Sequence, residues 1–327
     1  MKHTLRIKLL LVFFLFSLFG MSAQQRRLTV KDSITNEALP YASINLLNGF
    51  GLFTDENGQV ALERDAPKTI KITYMGYASK AISVDKLTSP IILLQPEANA
   101  LSEVKVVNSK RGKGKRKDFT VKPHLHDNIN KMYWSSIGQQ YAFYIPSKKD
   151  EAILKSVTIP LIVKDIHQGM TETSFETHPY GTMVNIAFMT NTNELPDKKL
   201  NDYEKKVVIH SGKVTDNITI DFEEEIEIPV EGLFITMTII GKTNNQGIYV
   251  PEMPYAIREL PDRKKKIIKI ILPNYALVET PKGQLTYFRN VFSDITKWER
   301  ITRPMVYKNE KEYPFLNVGI GYTFSGY

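Results

Sequence analysis

Apolar and polar residues alternate along most of this chain with a period of two, in short runs broken by turn residues, and no stretch keeps a convincing helical spacing over more than about ten residues. Residues 27–32 alternate and read as a strand. Residues 33–40 read as a turn with Asn36 its positive-φ position. The next strand, 41–47, puts Ala42, Ile44 and Leu46 on one face. Thr54-Asp-Glu-Asn-Gly58 reads as a hairpin-type turn, because Asn-Gly tolerates positive φ at both central positions. Residues 60–62, 69–74, 80–84 and 91–94 complete six or seven short strands, the spacing of a sandwich.

A second strand-rich region follows. Residues 141–146 end in Pro146, 154–163 alternate and then turn apolar, and 183–189 read as a buried strand. A turn at 193–197 leads into 205–210, and strong strands are expected at 217–222 and 233–240. The expected class is therefore all-β, two sandwiches in series, the second jelly-roll-like. The tail, 316–324, alternates and ends aromatic, which keeps a small outer-membrane barrel open as a competing architecture. Against that barrel stand the unalternating runs 159–163 and 239–240 and the basic run 263–266.

Composition adds compartment and charge. With 327 residues the chain suits two domains, and with no cysteine it can hold no disulfide, thiolate metal site, cysteine nucleophile or lipidated N-terminal cysteine. Lys2, Arg6 and Lys8 precede an apolar stretch at 9–19 and small residues ending at Ala23, the layout of a secretory signal peptide cleaved after Ala23. The expected product is exported, periplasmic or associated with the outer membrane. Losing those three basic residues lowers the formal net charge from +8 to +5. Lys110, Arg111, Lys113, Lys115, Arg116 and Lys117 hold six more; without them the remainder is −1, so no nucleic-acid-binding face is implied. Residues 108–118 have glycine, dense like charge and no apolar side chain, and read as a solvated tether that can touch anionic polymer or lipid headgroups. The organisation that follows is a signal peptide at 1–23, a sandwich at 24–107, the basic linker at 108–118 and a strand-rich domain at 119–327.

The string from Val30 to Ile44, then Thr54-Asp-Glu-Asn-Gly58, then Tyr74-Met-Gly-Tyr77, resembles the carboxypeptidase-regulatory-like domain. That resemblance implies a transthyretin-like β-sandwich without peptidase residues, over 28–107, in a cell-envelope protein. Leu101-Ser-Glu-Val-Lys-Val-Val107 looks like the segment that follows this module in nutrient receptors, although 220 further residues are too few for a plug and a 22-stranded barrel. The strand order beyond residue 119 resembles the galactose-binding-like jelly rolls found behind the module.

Candidate chemistry is sparse. His124 and His126 are two apart and would face one way on a strand, but no third ligand of fixed spacing accompanies them, so no metal site is expected. His167, His178 and His210 pair with no nucleophile. Glu223, Glu224, Glu225 and Glu227 read as a solvated edge at a strand-to-turn junction. Phosphate loops and the His-Glu-x-x-His motif are absent, and no catalytic residue or cofactor is expected. Aromatic rings remain: Trp134, Tyr141, Tyr144 and Trp298 are the candidate ligand contacts, beside Tyr133 and Tyr287, because aromatic faces stack on sugars. The expectation is a non-enzymatic envelope protein that binds glycan or envelope polymer through its second domain; the alternative is an assembly partner of an outer-membrane complex.

Overall fold

A computed structural model describes residues 26–63, 65–97, 115–124, 132–133, 135–146, 151–162, 175–178, 181–210, 217–278, 285–293, 297–302 and 315–327. The chain is all-β; the described residues hold one helical element, a 3-10 turn at Val84–Lys86. No helix among them is long and apolar enough to cross a membrane. Residues 1–25, the expected signal peptide included, lie outside the described residues.

Seven short strands build the first block: β1 (Arg26–Asp32), β2 (Ser43–Asn45), β3 (Gly51–Phe53), β4 (Gln59–Leu62), β5 (Thr69–Thr73), β6 (Lys80–Ser83) and β7 (Ile91–Leu94). They form two sheets, β4-β1-β7 and β3-β2-β5-β6. Ala42, Ile44 and Leu46 are buried as the alternation requires, against Leu28, Val30, Ile70, Ile72 and Ile92. Asn36 has positive φ, and the turn around it is closed by Asp32, whose Oδ1 accepts the Ile34 and Thr35 amides at 2.6 and 3.1 Å.

The Asp-Glu-Asn-Gly turn departs from expectation. Gly58 alone takes positive φ, Asn57 does not, and Asp55 Oδ1 accepts the Asn57 and Gln59 amides. The turn is not a hairpin, because β3 pairs with β2 while β4 pairs with β1 in the opposite sheet. The same side-chain chemistry here carries the chain from one layer to the other. The strand expected over 41–47 also shrinks to three residues, since Tyr41 and Leu47 both have positive φ.

Among the described residues sixteen strands follow: β8 (Lys117–Val121), β9 (Met132–Tyr133), β10 (Gln139–Ile145), β11 (Ile153–Ile162), β12 (Phe175–His178), β13 (Thr182–Thr192), β14 (Leu195–Ile209), β15 (Asn217–Glu227), β16 (Leu233–Lys242), β17 (Tyr255–Glu259), β18 (Lys264–Ile271), β19 (Asn274–Val278), β20 (Thr286–Asn290), β21 (Glu299–Thr302), β22 (Phe315–Val318) and β23 (Gly321–Gly326). Their main path runs β14-β13-β16-β10-β20-β21-β22-β19-β11-β23-β8, with β15 on the other edge of β11. It folds over on itself, so that β14, β13, β16, β10 and β20 face β15, β11, β19, β22 and β23 across one apolar core. Tyr141, Phe143, Ile186, Phe188, Ile235 and Met237 fill it from one side; Leu154, Val157, Ile159, Ile220 and Tyr275 fill it from the other. The path has two ends, and packed side chains occupy its interior, so two packed sheets replace the barrel alternative.

Of three sequence features, two change place. Lys117 and Asp118, expected in the tether, pair with Gly326 and Ser325 as part of β8. The acidic run stays at the strand-to-turn junction: it fills the C-terminal end of β15, whose last residue is Glu227. Lys264, Lys265 and Lys266 belong to β18, paired with β17, instead of interrupting a strand.

The two blocks share a buried seam. Phe292 (from the turn after β20) and Phe53 (from β3) pack with ring centroids 5.2 Å apart, beside Ile137, Met183, Ile240, Tyr249 and Ile271. A methyl group at Gly51 or Gly138 would overlap the Phe292 ring, so one glycine from each block makes room for it. Met253 and Tyr255 reach into the core of the first block. Asn45 Nδ2 donates to the Phe292 carbonyl at 3.0 Å, and the Tyr249 hydroxyl accepts the Phe53 amide at 3.4 Å. Each large apolar side chain so buried contributes about 1.5–3 kcal/mol, enough to fix the first block against the second.

Candidate functional site

The site lies on the outer face of the layer β14-β13-β16-β10-β20. Residues of one strand alternate between its faces, so Tyr141, Phe143 and Ile145 of β10 enter the core while Gln140, Ala142 and Tyr144 face out. Strand register then aligns outward residues into rows. Lys206 stands opposite Asn185, Asn185 opposite Thr238, Thr238 opposite Gln140, and Gln140 opposite Arg289. The Arg289 guanidinium lies 4.2 Å over the ring of Trp298, just before β21. This row takes one residue from each of six successive chain segments. Side chains link it: Gln140 Nε2 donates to Thr238 Oγ1 at 2.8 Å, and Arg289 Nε donates to Gln140 Oε1 at 2.7 Å. Gln140 therefore uses both ends of its amide, which fixes its orientation. Burial lowers the Arg289 guanidinium from its ordinary value, although such a group remains charged.

Two further rows flank it. Ala187, Thr236, Ala142 and Tyr287 form a mostly small-residue row, and Met189, Phe234 and Tyr144 form a large one. Tyr144 and Phe234 pack at 5.2 Å, Phe234 and Tyr287 meet edge-on at 5.8 Å, and Trp298 packs against the same cluster. The Tyr144 hydroxyl donates to the Glu231 carbonyl at 3.1 Å.

On the other side, the polar row borders the seam between the blocks. There a cleft of about 940 Å³ opens, floored by Asn185, Thr238 and Ile240 and walled by Tyr41, Tyr74 and Met75 of the first block. Tyr41 adopts φ +59°, a conformation that costs a bulky residue about 1–3 kcal/mol. Thr54 holds that segment in place, accepting the Ala42 amide at 2.8 Å and donating to the Leu39 carbonyl at 2.9 Å. The Lys206 ammonium lies 4.5 Å from the centre of the Tyr41 ring. Burial, reinforced by Glu56 and Asp55, raises the Tyr41 hydroxyl; burial and Glu204 raise that of Tyr74. Both stay protonated and can donate. Lys199 pairs with Glu204 at 3.3 Å and Asp202 at 3.5 Å.

The aromatic candidates from the sequence separate. Tyr144 and Trp298 share the outer cluster, together with Tyr287, and both are half-buried. Tyr141 is 0% exposed in the core against Tyr275, with ring centroids at 4.8 Å, so its candidacy as a ligand contact is corrected: it has no surface to offer. Trp134 lies outside the described residues, as does the side chain of Tyr133. Of the basic tether, Lys110, Arg111 and Lys113 lie outside the described residues, and Lys115 is exposed. Arg116 is fixed against the fold, over the Tyr327 ring at 5.2 Å and 3.9 Å from Glu151.

His124 is exposed and its amide donates to the Gly319 carbonyl, while His126 and His167 lie outside the described residues. His178 lies in β12 and His210 is half-buried beside Gly181. Among the described residues no group of three His, Asp or Glu could hold a metal ion. The described carboxylates with a displaced pKa are held as anions: Asp32 by the Tyr77 hydroxyl, Glu223 by Lys205 and Glu259 by Lys264. Tyr203, buried and bonded to Glu223, is pushed up to about 12. What the outer face offers is hydrogen-bonding side chains beside aromatic rings.

No protein-family model matches the chain, and no curated protein matches it. Two solved structures are similar at a low level. One is the clostridial cysteine protease Cwp84 after propeptide cleavage, with TM-score 0.34 and 12% identity over 88% of this chain and 66% of that one. The other holds the cysteine protease and lectin-like domains of Cwp84, a surface layer associated protein of Clostridium difficile, with TM-score 0.33 and 10% identity over 88% and 59%. The chain spans less than two thirds of each. Likeness at these scores carries no argument about fold or activity.

Proposed function

We propose that this chain is an exported, non-enzymatic cell-envelope protein that binds a glycan or similar hydroxyl-rich envelope polymer on the outer face of its second block. The observation that carries the reading is the polar row Asn185–Thr238–Gln140–Arg289 ending at Trp298, whose aromatic cluster also holds Tyr144 two rows along β10. Amide, hydroxyl and guanidinium groups held by one another match sugar hydroxyls, and half-buried rings match the apolar faces of pyranoses. The resemblance to carboxypeptidase-regulatory-like domains supports an interaction or spacer role for the first block. Residues 110–117 are proposed as a charged tether near anionic headgroups or polymer.

The test is a glycan array probed with residues 24–327, alongside Trp298→Ala and Tyr144→Ala. Binding by the parent protein that both substitutions weaken about tenfold, ~1.4 kcal/mol, is the expected result. Absence of binding to every glycan would sink the reading and favour the assembly role. Cell fractionation with N-terminal sequencing tests export: the mature chain is expected to begin at Gln24.

A further inference from the structure

The polar row does not stop at the second block. Its Asn185, Thr238 and Lys206 line the cleft whose opposite wall is Tyr41, Tyr74 and Met75 of the first block. At about 4.8 Å per strand, the five steps from β14 to Trp298 span about 24 Å. That is far longer than one sugar ring.

At the cleft end, Asn185 lines the cleft and its Nδ2 donates to Glu204 at 3.4 Å; among the described residues its buried Oδ1 has no hydrogen-bond partner. Met75 stands at the cleft rim, 62% exposed, an apolar side chain beside Tyr74. The charges lining the cleft are Lys199 and Lys206 against Asp202, Glu204 and Glu224, and Lys199 is already paired with two of those acids. Such a wall offers no net positive field to a polyanion.

From these features we infer that the site is composite, and that its ligand is an extended, uncharged polysaccharide chain lying along the polar row from Trp298 into the cleft between the blocks. The first block then supplies the second wall of the binding site through Tyr74 and Met75, and the apolar seam at Phe292 keeps the two walls at a fixed separation. This inference rests on the glycan reading above and adds to it the length and charge of the ligand and the part of the first block.

The test titrates residues 24–327 with neutral oligosaccharide series from disaccharide to intact polysaccharide (β-glucan, α-glucan, xylan, mannan and chitin types) by calorimetry, beside Tyr74→Ala, Met75→Ala and Trp298→Ala. Affinity is expected to rise at least tenfold from disaccharide to the longest chain of the bound series. Tyr74→Ala and Met75→Ala are expected to remove most of that rise while leaving the disaccharide unaffected; Trp298→Ala is expected to weaken both. Met75 is exposed, so its variant retains the fold if Tyr74→Ala, which also loses its packing on Tyr77, does not. Affinity independent of length, or first-block variants that bind long chains like the parent, would overturn the composite site and leave the glycan reading standing. Binding confined to charged polymers would overturn it likewise. Binding of nothing would overturn both.

Discussion

Tyr141 and Tyr144 lie three residues apart on β10 and have opposite fates. Tyr141 faces the core, stacked with Phe143 and tilted against Tyr275; Tyr144 faces out, bonded to the Glu231 carbonyl in the turn before β16. The inner face of that layer is mainly buried Ile, Val, Phe and Met, while its outer face carries Thr, Gln and Arg joined to one another, with Asn185 beside them. One face therefore holds the fold together and the other is left with chemistry to offer. A layer built this way can change its outer polar residues at less cost in stability than its inner apolar ones, which is why binding is expected there.

Substitutions can break that division. On the inner face, Phe188 packs on Phe222 at 5.1 Å and Tyr203 at 5.5 Å, and Phe188→Ala is expected to cost about 3–5 kcal/mol in urea unfolding. The seam comes next. Gly138 has φ +81° and lies against Phe292, so Gly138→Ala is expected to cost about 1–3 kcal/mol and to expose the seam to proteolysis. On the outer face the order reverses: Gln140→Ala removes two row hydrogen bonds, and is expected to lower stability by only about 0.5–1.5 kcal/mol while weakening glycan binding about tenfold. Equal losses of stability from Phe188→Ala and Gln140→Ala would erase the distinction between the faces.

The smallest effect belongs to pH. The Tyr77 hydroxyl, with the Ile34 amide, holds the Asp32 carboxyl below its usual range, and the same bond pushes Tyr77 up to about 12. Asp32 is lowered in the fold, so its contribution is complete above the unfolded carboxyl value of about 3.9 and fades as pH falls through the folded one. Tyr77 is raised, so its contribution is complete below the unfolded value of about 10 and fades as pH rises through the folded one. The stability gap between parent and Asp32→Asn is expected to be widest at neutral pH and to narrow toward both extremes, as measured by thermal unfolding across pH.

What the sequence made legible is what local chemistry decides. Alternation placed Ala42, Ile44 and Leu46 in the core, and turn chemistry placed Asn36 at positive φ. The Asp-Glu-Asn-Gly turn was misread because its amide bonds to Asp55 are local, whereas the sheet that β4 joins is decided by partners far along the chain. Tyr141 and Tyr144 were grouped by type although strand parity separates them, and parity assigns faces only once one residue is known to be inside. The polar row was out of reach altogether: its members come from six segments, and only the pairing register aligns them. The seam likewise depends on Phe292 meeting Gly51 across more than two hundred residues.

The chain holds two tryptophans, so Trp134→Phe leaves Trp298 as the sole indole reporter on the outer face. Titrating that variant with the tightest-binding glycan, while following emission and calorimetric heat together, tests the central claim most directly. A shift in Trp298 emission that saturates with the heat of binding is the result this account predicts; heat without any change at Trp298 would place the ligand elsewhere.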